Sequence, residues 1–580
     1  MFRFCRFSAV TLTLLVALTG CADPGIRADQ SLAVDTAYQP AVASAHPLAT
    51  QAGIDVMAAG GNAFDAAIAT AAVLGVVEPY SAGIGGGGFW LLQTGTGDTI
   101  FVDARETAPG AAHETMYLNA NGYVHPDKLS VNGPLAAGIP GQPAAFAHIS
   151  QHYGELALEP VLEPAIRLAN EGFPVDEHYQ RLAGWRQTAL RQYPDASAVF
   201  LRDGQIPEEG ATIRQPALAN TLSQLARDGH EGFYEGRVAR ELVEDVRRAG
   251  GIWSREDLAG YRVIEREPIR IQVGDRQLWS APPPSSGGIA LAQMFGMMAA
   301  VPRQQLEQGD LSPEAARVHY LAEIMRRAYR DRALYLGDPD FTDIPLAKLT
   351  AKAYLAELAS TISMSSATPS EDLDGDLGAG MHTTHLSVLD RDGNRVSATL
   401  SINLPFGSAF LSAQTGVLLN NELDDFAIKP GVPNAYGLVG GEANKVEAGK
   451  RPLSSMTPTL MSDANGGRSA IIGTPGGSRI ITMVYLGLLD LIDGKTAPEV
   501  VQAGRFHHQY LPDVIQYEPG SLSNSVLDQL RSLGHELDDV GREYGNMQLI
   551  VVKPDRTSLA VSDPRGGGAG SVGPPPLPDN

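Results

Sequence analysis

Cysteine is almost absent from this sequence. Cys5 and Cys21 are the only two cysteines in 580 residues, and both lie close to the N-terminus. The folded part of the chain therefore has no thiol for a disulfide, a cysteine nucleophile or a thiolate metal site. Basic residues are also in the minority, with 44 lysines and arginines against 66 aspartates and glutamates. The net charge of −22 repels nucleic acid and anionic lipid surfaces, so we expect no nucleic-acid partner.

The common catalytic and cofactor-binding motifs are missing too. The sequence contains no GxSxG, no HExxH and no GxxxxGK[ST], and the four glycines at 85–88 lack the lysine of a phosphate-binding loop. Other candidate metal ligands lack the partners that a zinc or calcium site needs. They are the pairs His382 with His385 and His507 with His508, and the alternate aspartates Asp372, Asp374 and Asp376. We therefore expect no metal ion and no cofactor.

Long apolar runs are scarce, and the N-terminal one is typical of an export signal. The run FSAVTLTLLVAL follows Arg3 and Arg6 and is too short to span a membrane comfortably. It ends in LTGC (18–21), which resembles the bacterial lipobox, where the cysteine is lipidated and becomes the first residue of the mature protein. The alternative is an ordinary signal peptide cut near Gly20, with Cys21 incidental.

These signals divide the start of the chain into two parts. We expect a signal peptide over residues 1–20 and a lipidated, polar tether over residues 21–38. The protein would then be exported to the periplasm or the cell envelope. Its contact with a membrane would be through the N-terminal lipid on Cys21 alone.

Beyond the tether, helical and strand patterns alternate. Alanine-rich and amphipathic stretches predict helices in four regions: 41–77, 142–260, 312–336 with Ser312 as its cap, and 479–492. Alternating apolar residues beside turn residues predict a hairpin over 83–105 entered through a flexible glycine-rich loop, a second hairpin over 384–403, and a strand that begins at 468. We expect a rigid-then-flexible loop at 282–288, a solvated, mobile linker at 365–380 and a frayed tail at 566–580.

A threonine pair, Thr383-Thr384, lies between the acidic linker and the second hairpin. Threonine at the start of a strand is ordinarily only a good β-former. The flanks change that interpretation, because MHTTHLSVLD (381–390) resembles the processing site of the gamma-glutamyltransferases, a family of the N-terminal nucleophile hydrolase superfamily. The resemblance extends over nearly all of the mature chain. It includes ten motifs in the same order: GGNAFDAA (60–67), GIGGGGF (83–89), DARETAP (103–109), PPPSSGG (282–288), TTHLSVLD (383–390), NNELDDF (420–426), GKRPLSSMTPT (449–459), GTPGGSRIIT (473–482), GRFHHQ (504–509) and SDPR (562–565).

The resemblance implies roles for the matching residues. Thr383 would cut the precursor after His382 and then serve as the nucleophile of the mature enzyme. Ser401 would orient that nucleophile. Gly476 and Gly477, at the N-terminus of a predicted helix, would hold the oxyanion, as helix N-termini are suited to do. The implied substrate-binding residues are Arg105 for the α-carboxylate, Glu422 and Asp425 for the α-ammonium, and Asn403, Ser454 and Ser455 around the glutamyl group.

The family resemblance also implies the fold and the activity. The fold would be α+β, a four-layer αββα sandwich made of a large subunit (39–382) and a small subunit (383–580) cut from one precursor. The enzyme would transfer the γ-glutamyl group of glutathione and related compounds to water or to amino acid and peptide acceptors. The freed α-amine of Thr383, with a reference pKa of about 7.7–8.0, would accept the hydroxyl proton.

Three alternatives remain open from the sequence. A glutaryl cephalosporin acylase would share the fold and the nucleophile, although such enzymes tend to lose part of the charged set that this sequence retains. A solute-binding lipoprotein could hold an amino acid at Arg105, Glu422 and Asp425 without turnover. A noncatalytic member of the family would fold without cutting itself.

Overall fold

Two antiparallel β-sheets lie face to face, with helices packed on both outer sides. The computed structural model describes residues 37–301, 310–370 and 383–574. The helices are α1 Pro47–Ala58, α2 Ala63–Val77, α3 Gln142–Tyr153, α4 Leu158–Glu171, α5 Glu177–Gln192, α6 Pro194–Phe200, α7 Pro216–Tyr234, α8 Gly236–Arg248, α9 Arg255–Gly260, α10 Gly287–Ala300, α11 Pro313–Tyr335, α12 Leu346–Leu349, α13 Lys352–Ser360, α14 Ile480–Ile492, α15 Ala497–Gln502 and α16 Asn524–Ser532.

The strands fall into two large sheets and two small ones. Their bounds are β1 Ala41–Ser44, β2 Gly87–Gln93, β3 Thr99–Ala104, β4 Phe173–Pro174, β5 Thr212–Ile213, β6 Ile264–Arg266, β7 Ile269–Val273, β8 Arg276–Ser280, β9 Thr384–Leu389, β10 Arg395–Ser401, β11 Thr459–Asp463, β12 Ser469–Gly473, β13 Phe506–His507, β14 Ile515–Tyr517, β15 Leu537–Asp539, β16 Gln548–Val552, β17 Ser558–Ser562 and β18 Ala569–Val572. The first large sheet has the order β18-β1-β9-β10-β2-β3-β6, and the second has the order β17-β16-β12-β11-β8-β7.

Contacts between the elements define four layers. Helices α1 and α2 cover the first sheet, where α2 packs on β9 and β10. The two sheets meet through β9 and β10 on one side and β12 and β16 on the other. Helices α10 and α14 cover the second sheet, on β7, β8 and β12. This helix–sheet–sheet–helix order confirms the predicted α+β fold and the αββα sandwich.

The alternation of side chains along β9 and β10 explains how the central layers pack. Leu386 and Val388 point to the side of α2 and join its apolar core. The intervening Ser387 faces the second sheet, and its hydroxyl donates a hydrogen bond to the carbonyl of Gln548 at 3.2 Å. The hydroxyl of Ser397 in β10 likewise donates a hydrogen bond to the carbonyl of Ile472, also at 3.2 Å. Short hydroxyl side chains thus let the sheets approach closely while each buried polar group keeps a partner.

Most of the predicted elements are present. Both hairpins form, as β2–β3 and β9–β10, and the long helix is α11, whose first turn is capped by the Ser312 hydroxyl. The predicted helix at 479–492 is α14, entered through a 3-10 turn at Gly477–Arg479. No helix in the described ranges combines the length and the apolarity that crossing a bilayer requires.

Three local expectations were wrong. Residues 569–572 are not a frayed tail, because β18 pairs with β1 at the edge of the first sheet. The first part of the predicted linker is held in place: the amide of Ser370 donates to Asp513 at 2.6 Å, and that of Ala367 donates to Leu533 at 2.7 Å. Residues 371–382 lie outside the described part, together with Asp372, Asp374 and Asp376. The loop before β2 is buried rather than flexible, as described below.

Candidate active site

The register of the second hairpin places Thr383 beside Ser401. Strands β9 and β10 are antiparallel with Thr384 opposite Leu400, so the residue before β9 faces the last residue of β10. The Thr383 Oγ1 and Ser401 Oγ atoms lie 3.5 Å apart, and both residues are buried. The Ser401 Oγ also accepts a hydrogen bond from the amide of Asn403 at 2.8 Å. That bond fixes the position of the Ser401 oxygen, and the hydroxyl has two neighbours that can accept its proton: Thr383 Oγ1 and the carboxyl of Glu422, whose pKa a hydrogen bond from Ser401 lowers.

The glycines at 85–88 are required here for close packing. A Cβ atom on Gly86 would overlap the carbonyl oxygen of Ser401, and one on Gly85 would overlap that of Leu418. Gly87 pairs directly with Ser401 across the sheet. The glycine run therefore lets β2 and the loop before it pack closely against the strand that carries Ser401.

Asn403 turns the chain away from β10 toward the turn that contains Glu422. Its backbone has a φ of +73°, in the left-handed region that asparagine tolerates better than most residues. Its side-chain amide donates to the carbonyl of Asn421 at 2.8 Å, which links the end of β10 to the turn containing Glu422. Asn403 and Glu422 both line the cavity at Thr383, as predicted.

Arg105 follows β3 and lies at the centre of the charged part of the site. Its Nη1 lies 2.5 Å from Glu422 Oε2, and its Nη2 lies 2.6 Å from Asp425 Oδ2. Its Nε donates to the carbonyl of Pro452 at 3.1 Å. The structure thus brings the predicted carboxylate-binding arginine and the predicted ammonium-binding pair together, but as partners of one another.

Burial of these charges alters their proton equilibria. Burial raises the pKa of Glu422 to about 7, although the positive charge of Arg105 opposes that shift. Burial also raises the pKa of Glu106 well above its usual value, and the negative charge of Glu422 adds to the effect. Among the described residues, neither carboxyl oxygen of Glu106 has a hydrogen-bond partner. The raised pKa favours the neutral form of Glu106, whose Oε2 lies 3.6 Å from Arg105 Nη1, so the closer partners Glu422 and Asp425 form the main ion pairs of Arg105.

Ser454 and Ser455 are held by the proline- and serine-rich loop at 282–288. The amide of Ser454 donates to the carbonyl of Pro284 at 2.8 Å, and the amide of Ser286 donates to the carbonyl of Ser454 at 2.9 Å. Both serines line the cavity at Thr383. The predicted rigid-then-flexible loop is therefore a support for the two serines, and its last two glycines already belong to α10.

Gly476 and Gly477 lie between β12 and α14. Their φ angles are +151° and +55°, values that side chains disfavour. Gly477 starts the 3-10 turn that leads into α14, where the first amides have no partner within the helix and carry the positive end of its dipole. Gly477 lines the cavity at Thr383, and Gly476 lines a neighbouring cavity that Thr383 also borders. This is the arrangement that an oxyanion hole needs.

Several residues of the site were missed by the sequence reasoning. Arg332 of α11 lines the cavity, and its Nη2 donates to Ser455 Oγ at 3.3 Å. Tyr436 covers the cavity, and its hydroxyl donates to the carbonyl of Asn403 at 2.9 Å. Glu78 accepts a hydrogen bond at 3.0 Å from the hydroxyl of Thr384, beside the nucleophile. Nothing in the local sequence around Arg332 or Tyr436 distinguishes them. Glu78 follows directly on the helical region predicted over 41–77, a position that by itself indicates no role in a site.

The remaining predicted residues fall in two groups. His382 and Cys21 lie outside the described residues. His507 and His508, which the sequence offered only as a metal pair that lacks the required partners, make separate contacts: His507 Nδ1 lies 2.8 Å from a threonine hydroxyl of α14, whereas His508 Nε2 lies 3.1 Å from Asp513. His385 is buried between the sheets, with its Nδ1 2.8 Å from a threonine hydroxyl of β10.

A cluster that the sequence did not suggest lies elsewhere, between α11 and the turn that follows α16. His319, Glu323 and His535 place potential metal ligands within 4.8 Å of one another. The Nδ1 of His319 lies 2.7 Å from the Nε2 of His535, a hydrogen-bond distance. Glu323 forms ion pairs with Arg326 and Arg327, whose positive charges disfavour a nearby cation. These contacts satisfy the cluster internally, and we assign no ion to it.

Comparison with known proteins identifies the family. The model of the gamma-glutamyltranspeptidase family matches residues 49–573. The chain belongs to this family. Among curated gamma-glutamyltranspeptidase relatives, the glutathione hydrolase proenzyme of Escherichia coli is 40% identical over 535 residues, which cover 91% of each chain. The glutathione hydrolase proenzyme of Pseudomonas aeruginosa is also 40% identical, over 97% of this chain and 98% of that protein.

Solved structures agree with the assignment to the gamma-glutamyltranspeptidase family. The cephalosporin acylase of Bacillus halodurans superposes with a TM-score of 0.78 at 26% identity, covering 96% of this chain and 99% of that one. The Helicobacter pylori gamma-glutamyltranspeptidase gives a TM-score of 0.53 at 36% identity, covering 60% of this chain and 95% of that one. The sequence resemblance to the family, and the fold it implied, are therefore confirmed.

Proposed function

We propose that this chain is a self-processing gamma-glutamyltransferase and glutathione hydrolase. The observation that carries the proposal is the position of the Thr383 hydroxyl, in one buried cavity with an arginine fork and two carboxylates. The names of the curated relatives, which are glutathione hydrolase proenzymes at 34–40% identity over nearly the full chain, support the same activity and a precursor form.

The charge pattern suits a zwitterionic group. In the structure, Arg105 pairs directly with both Glu422 and Asp425, which leaves one negative charge in excess, and the cavity between the lining side chains is only about 20 Å³. An α-amino acid brings one carboxylate and one ammonium. Its carboxylate would take the guanidinium, and its ammonium would take the two acids, so each ion pair that opens is replaced by a new one. A ligand with only one of these charges would leave the opposite side unpaired.

Maturation would use the same threonine. The Thr383 hydroxyl would attack the carbonyl of His382, and the peptide bond would break as an ester forms on Thr383. Water would then hydrolyse that ester. The products would be a large subunit that ends at His382 and a small subunit whose first residue is Thr383, with a free α-amine.

Catalysis would follow with that amine as the base. It would accept the hydroxyl proton as Oγ1 attacks the γ-carbonyl of the substrate, and the amides at Gly476 and Gly477 would stabilise the oxyanion. The leaving amine would depart with a proton, which leaves a γ-glutamyl ester on Thr383. Water would release glutamate, whereas the amine of an amino acid or peptide would form a new γ-glutamyl amide.

Turnover of glutathione by the purified protein tests this proposal. We expect release of glutamate and cysteinylglycine by the wild-type protein and none by Thr383→Ala. Thr383→Ser keeps a hydroxyl and should keep part of both the cutting and the activity. Stoichiometric binding of glutathione without product would favour a solute-binding protein instead.

A glutaryl cephalosporin acylase is the second candidate. The structural similarity to the Bacillus halodurans acylase over nearly the whole chain favours it, although that protein is only 26% identical. The presence of Arg105, Glu422 and Asp425 in one cavity favours the glutamyl substrate, because a glutaryl group has no α-ammonium for the two acids.

The N-terminal sequence supports export and lipid anchoring in the cell envelope. Residues 1–20 would be removed and Cys21 would carry the lipid. Expression of the full chain and of Cys21→Ala, followed by membrane fractionation and mass spectrometry of the N-terminus, tests this. A wild-type protein that is soluble and begins elsewhere would contradict the lipid but not the enzymatic proposal.

A further inference from the structure

One arginine of the substrate cavity has no acidic contact. Arg332 of α11 lines the cavity at Thr383 and is only 5% exposed. In the part of the chain that the structure describes, no carboxylate oxygen lies within 4.0 Å of its guanidinium, whereas Arg105 forms ion pairs with Glu422 and Asp425. An arginine keeps its proton inside a protein, so Arg332 is a buried cation that no neighbouring anion contacts.

The charge of Arg332 completes the balance of the cavity. Glu422 and Asp425 carry two negative charges when both are ionised, and Arg105 supplies one positive charge. Burial lowers the pKa of Arg332, and the charges of Asp425 and Arg105 shift it in opposite directions, so both groups lie within electrostatic range. With Arg332 the cavity holds two cations and two anions. An α-amino acid group has no net charge and enters this site without altering the balance.

The contacts of Arg332 hold two serine hydroxyls. Its Nε donates to Ser286 Oγ at 3.0 Å, and its Nη2 donates to Ser455 Oγ at 3.3 Å. The Ser286 hydroxyl donates its own proton to the carbonyl of Ser454 at 2.8 Å. The Ser455 oxygen accepts from Arg332, so its proton must be donated elsewhere, and the described residues offer it no acceptor. Since Ser455 lines the cavity, that proton is available to a ligand.

The loop 452–455 connects Arg332 to Arg105. At one end of this loop, the Arg105 Nε donates to the carbonyl of Pro452 at 3.1 Å, and at the other end Arg332 holds Ser455. Both guanidinium groups and the Ser455 side chain line the same cavity. A carboxylate has about four acceptor positions on its two oxygens, so it can accept from an arginine fork and from a serine hydroxyl at once.

Helix α11 gives Arg332 a fixed position. Tyr329 lies one turn earlier, and its buried hydroxyl donates to the carbonyl of Ser478, which follows Gly477. Residues three apart on a helix are neighbours, so one turn of α11 contacts two loops of the cavity. A side chain carried by a packed helix is positioned more precisely than one on a loop.

We propose that Arg332 is a positioning residue for substrate binding: it directs the Ser455 hydroxyl toward the α-carboxylate of the γ-glutamyl group and supplies the second positive charge of the cavity. The inference rests on the proposed function and adds to it a specificity residue outside the Arg105 fork. Arg332 acts through Ser455 and through its charge, without touching the reacting atoms.

Two matched donors separate this role from a structural one. A γ-glutamyl anilide and its α-carboxamide differ only in the α-carboxylate, so the ratio of their kcat/KM values reports recognition of that group. We expect the wild-type protein to prefer the carboxylate donor by at least about thirtyfold. Arg332→Gln should lower this preference about tenfold, mainly through a higher KM for the carboxylate donor. General damage to the site would lower both kcat/KM values together and leave the ratio unchanged.

A conservative variant and a double variant show how Arg332 acts. Arg332→Lys keeps the charge but not the fork that reaches both serines, so we expect it to lower the preference only about threefold. Arg332→Gln combined with Ser455→Ala should lower the preference by less than the product of the two single effects, because the two residues share one contact.

Arg330→Gln is the matched control, because Arg330 is a half-buried arginine of the same helix that does not line the cavity. It should keep the wild-type ratio. An unchanged ratio in Arg332→Gln, or single effects that multiply in full in the double variant, would overturn the inference. If Arg332→Gln remains uncut and has therefore not folded, Arg332→Lys decides, and an unchanged ratio in that variant overturns the inference. A wild-type protein that turns over neither donor would instead reject the proposed function.

Discussion

The hydroxyls of Thr383 and Ser401 lie 3.5 Å apart because one hairpin register places the residue just before a strand opposite the last residue of its neighbour. The same register places Ser401 against Gly87, whose strand leads to Arg105 through β3. A single antiparallel sheet thus fixes Thr383, Ser401 and Arg105 relative to one another.

Removal of the Ser401 hydroxyl should slow the chemical step more than it weakens binding. A hydrogen bond to a reacting oxygen is worth about 1.5–3 kcal/mol, so Ser401→Ala should lower kcat about tenfold to a hundredfold with little change in KM. Ser401→Thr keeps a hydroxyl and should retain most of the activity. Steady-state kinetics of both variants on a γ-glutamyl anilide measure this. Equal kcat for Ser401→Ala and wild type would show that Ser401 does not assist Thr383.

Truncation of Arg105 should weaken substrate binding. Loss of one partner from a buried charge pair costs about 2–5 kcal/mol, so Arg105→Ala should raise KM for γ-glutamyl substrates by at least about thirtyfold. Arg105→Lys keeps a charge but not the planar fork, so its KM should lie between those of the wild type and Arg105→Ala. Subunit cutting, followed on a gel, should be affected much less. Unchanged KM in Arg105→Ala would remove this residue from the substrate site.

Binding of the α-ammonium should weaken in acid because of Glu422. Burial raises the pKa of this carboxyl to about 7 in the folded protein, against the opposing charge of Arg105, so the group is mostly protonated at lower pH. A ligand ammonium binds the ionised form, and the proton must be released first. The inhibition constant of L-glutamate should therefore rise by about tenfold as the pH falls from about 8 to about 6.

Glu422→Gln is the control for this pH dependence. The amide oxygen still accepts from an ammonium, but the group no longer titrates. The variant should bind L-glutamate more weakly at high pH and show a flatter profile. If the two profiles are parallel, another group is responsible for the pH dependence.

The α-amine of the substrate should be essential. A glutaryl anilide lacks only that amine, and it would separate Arg105 from Glu422 and Asp425 without offering the acids a new partner. Sites built around a polar group reject its absence by up to about 10⁴-fold. Measured side by side, kcat/KM should be higher for the γ-glutamyl anilide than for the glutaryl anilide by up to about 10⁴-fold. Equal values, or a preference for glutaryl, would assign the protein to the acylases.

The sequence predicted the parts of the site that depend on local patterns. The Asp392-Gly393 turn and the alternation on either side of it predict the hairpin, and that hairpin determines the register of Thr383 and Ser401. The glycine pair before an apolar helix likewise predicts the position of Gly476 and Gly477. The roles of Arg105 and Glu422 came from the family resemblance alone.

The sequence could not predict contacts between distant segments. Glu422 and Arg105 are separated by more than three hundred residues, and nothing local shows that they pair with each other. In the sequence, nothing distinguishes Arg332 from other arginines of an amphipathic helix. Only the folded chain places it beside Ser455. Three of the four residues of β18 are alanine, glycine and serine, which do not by themselves indicate a strand, and the strand forms by pairing with β1.

Mass spectrometry of the subunits tests the central claim most directly, since the claim is that Thr383 is both the cutting residue and the nucleophile. Purified wild-type protein should contain a large chain that ends at His382 and a small chain of residues 383–580 that begins with Thr383. Thr383→Ala, purified in parallel, should remain one chain. An intact wild-type chain that still hydrolyses glutathione, or a Thr383→Ala protein cut at the same bond, would contradict the account.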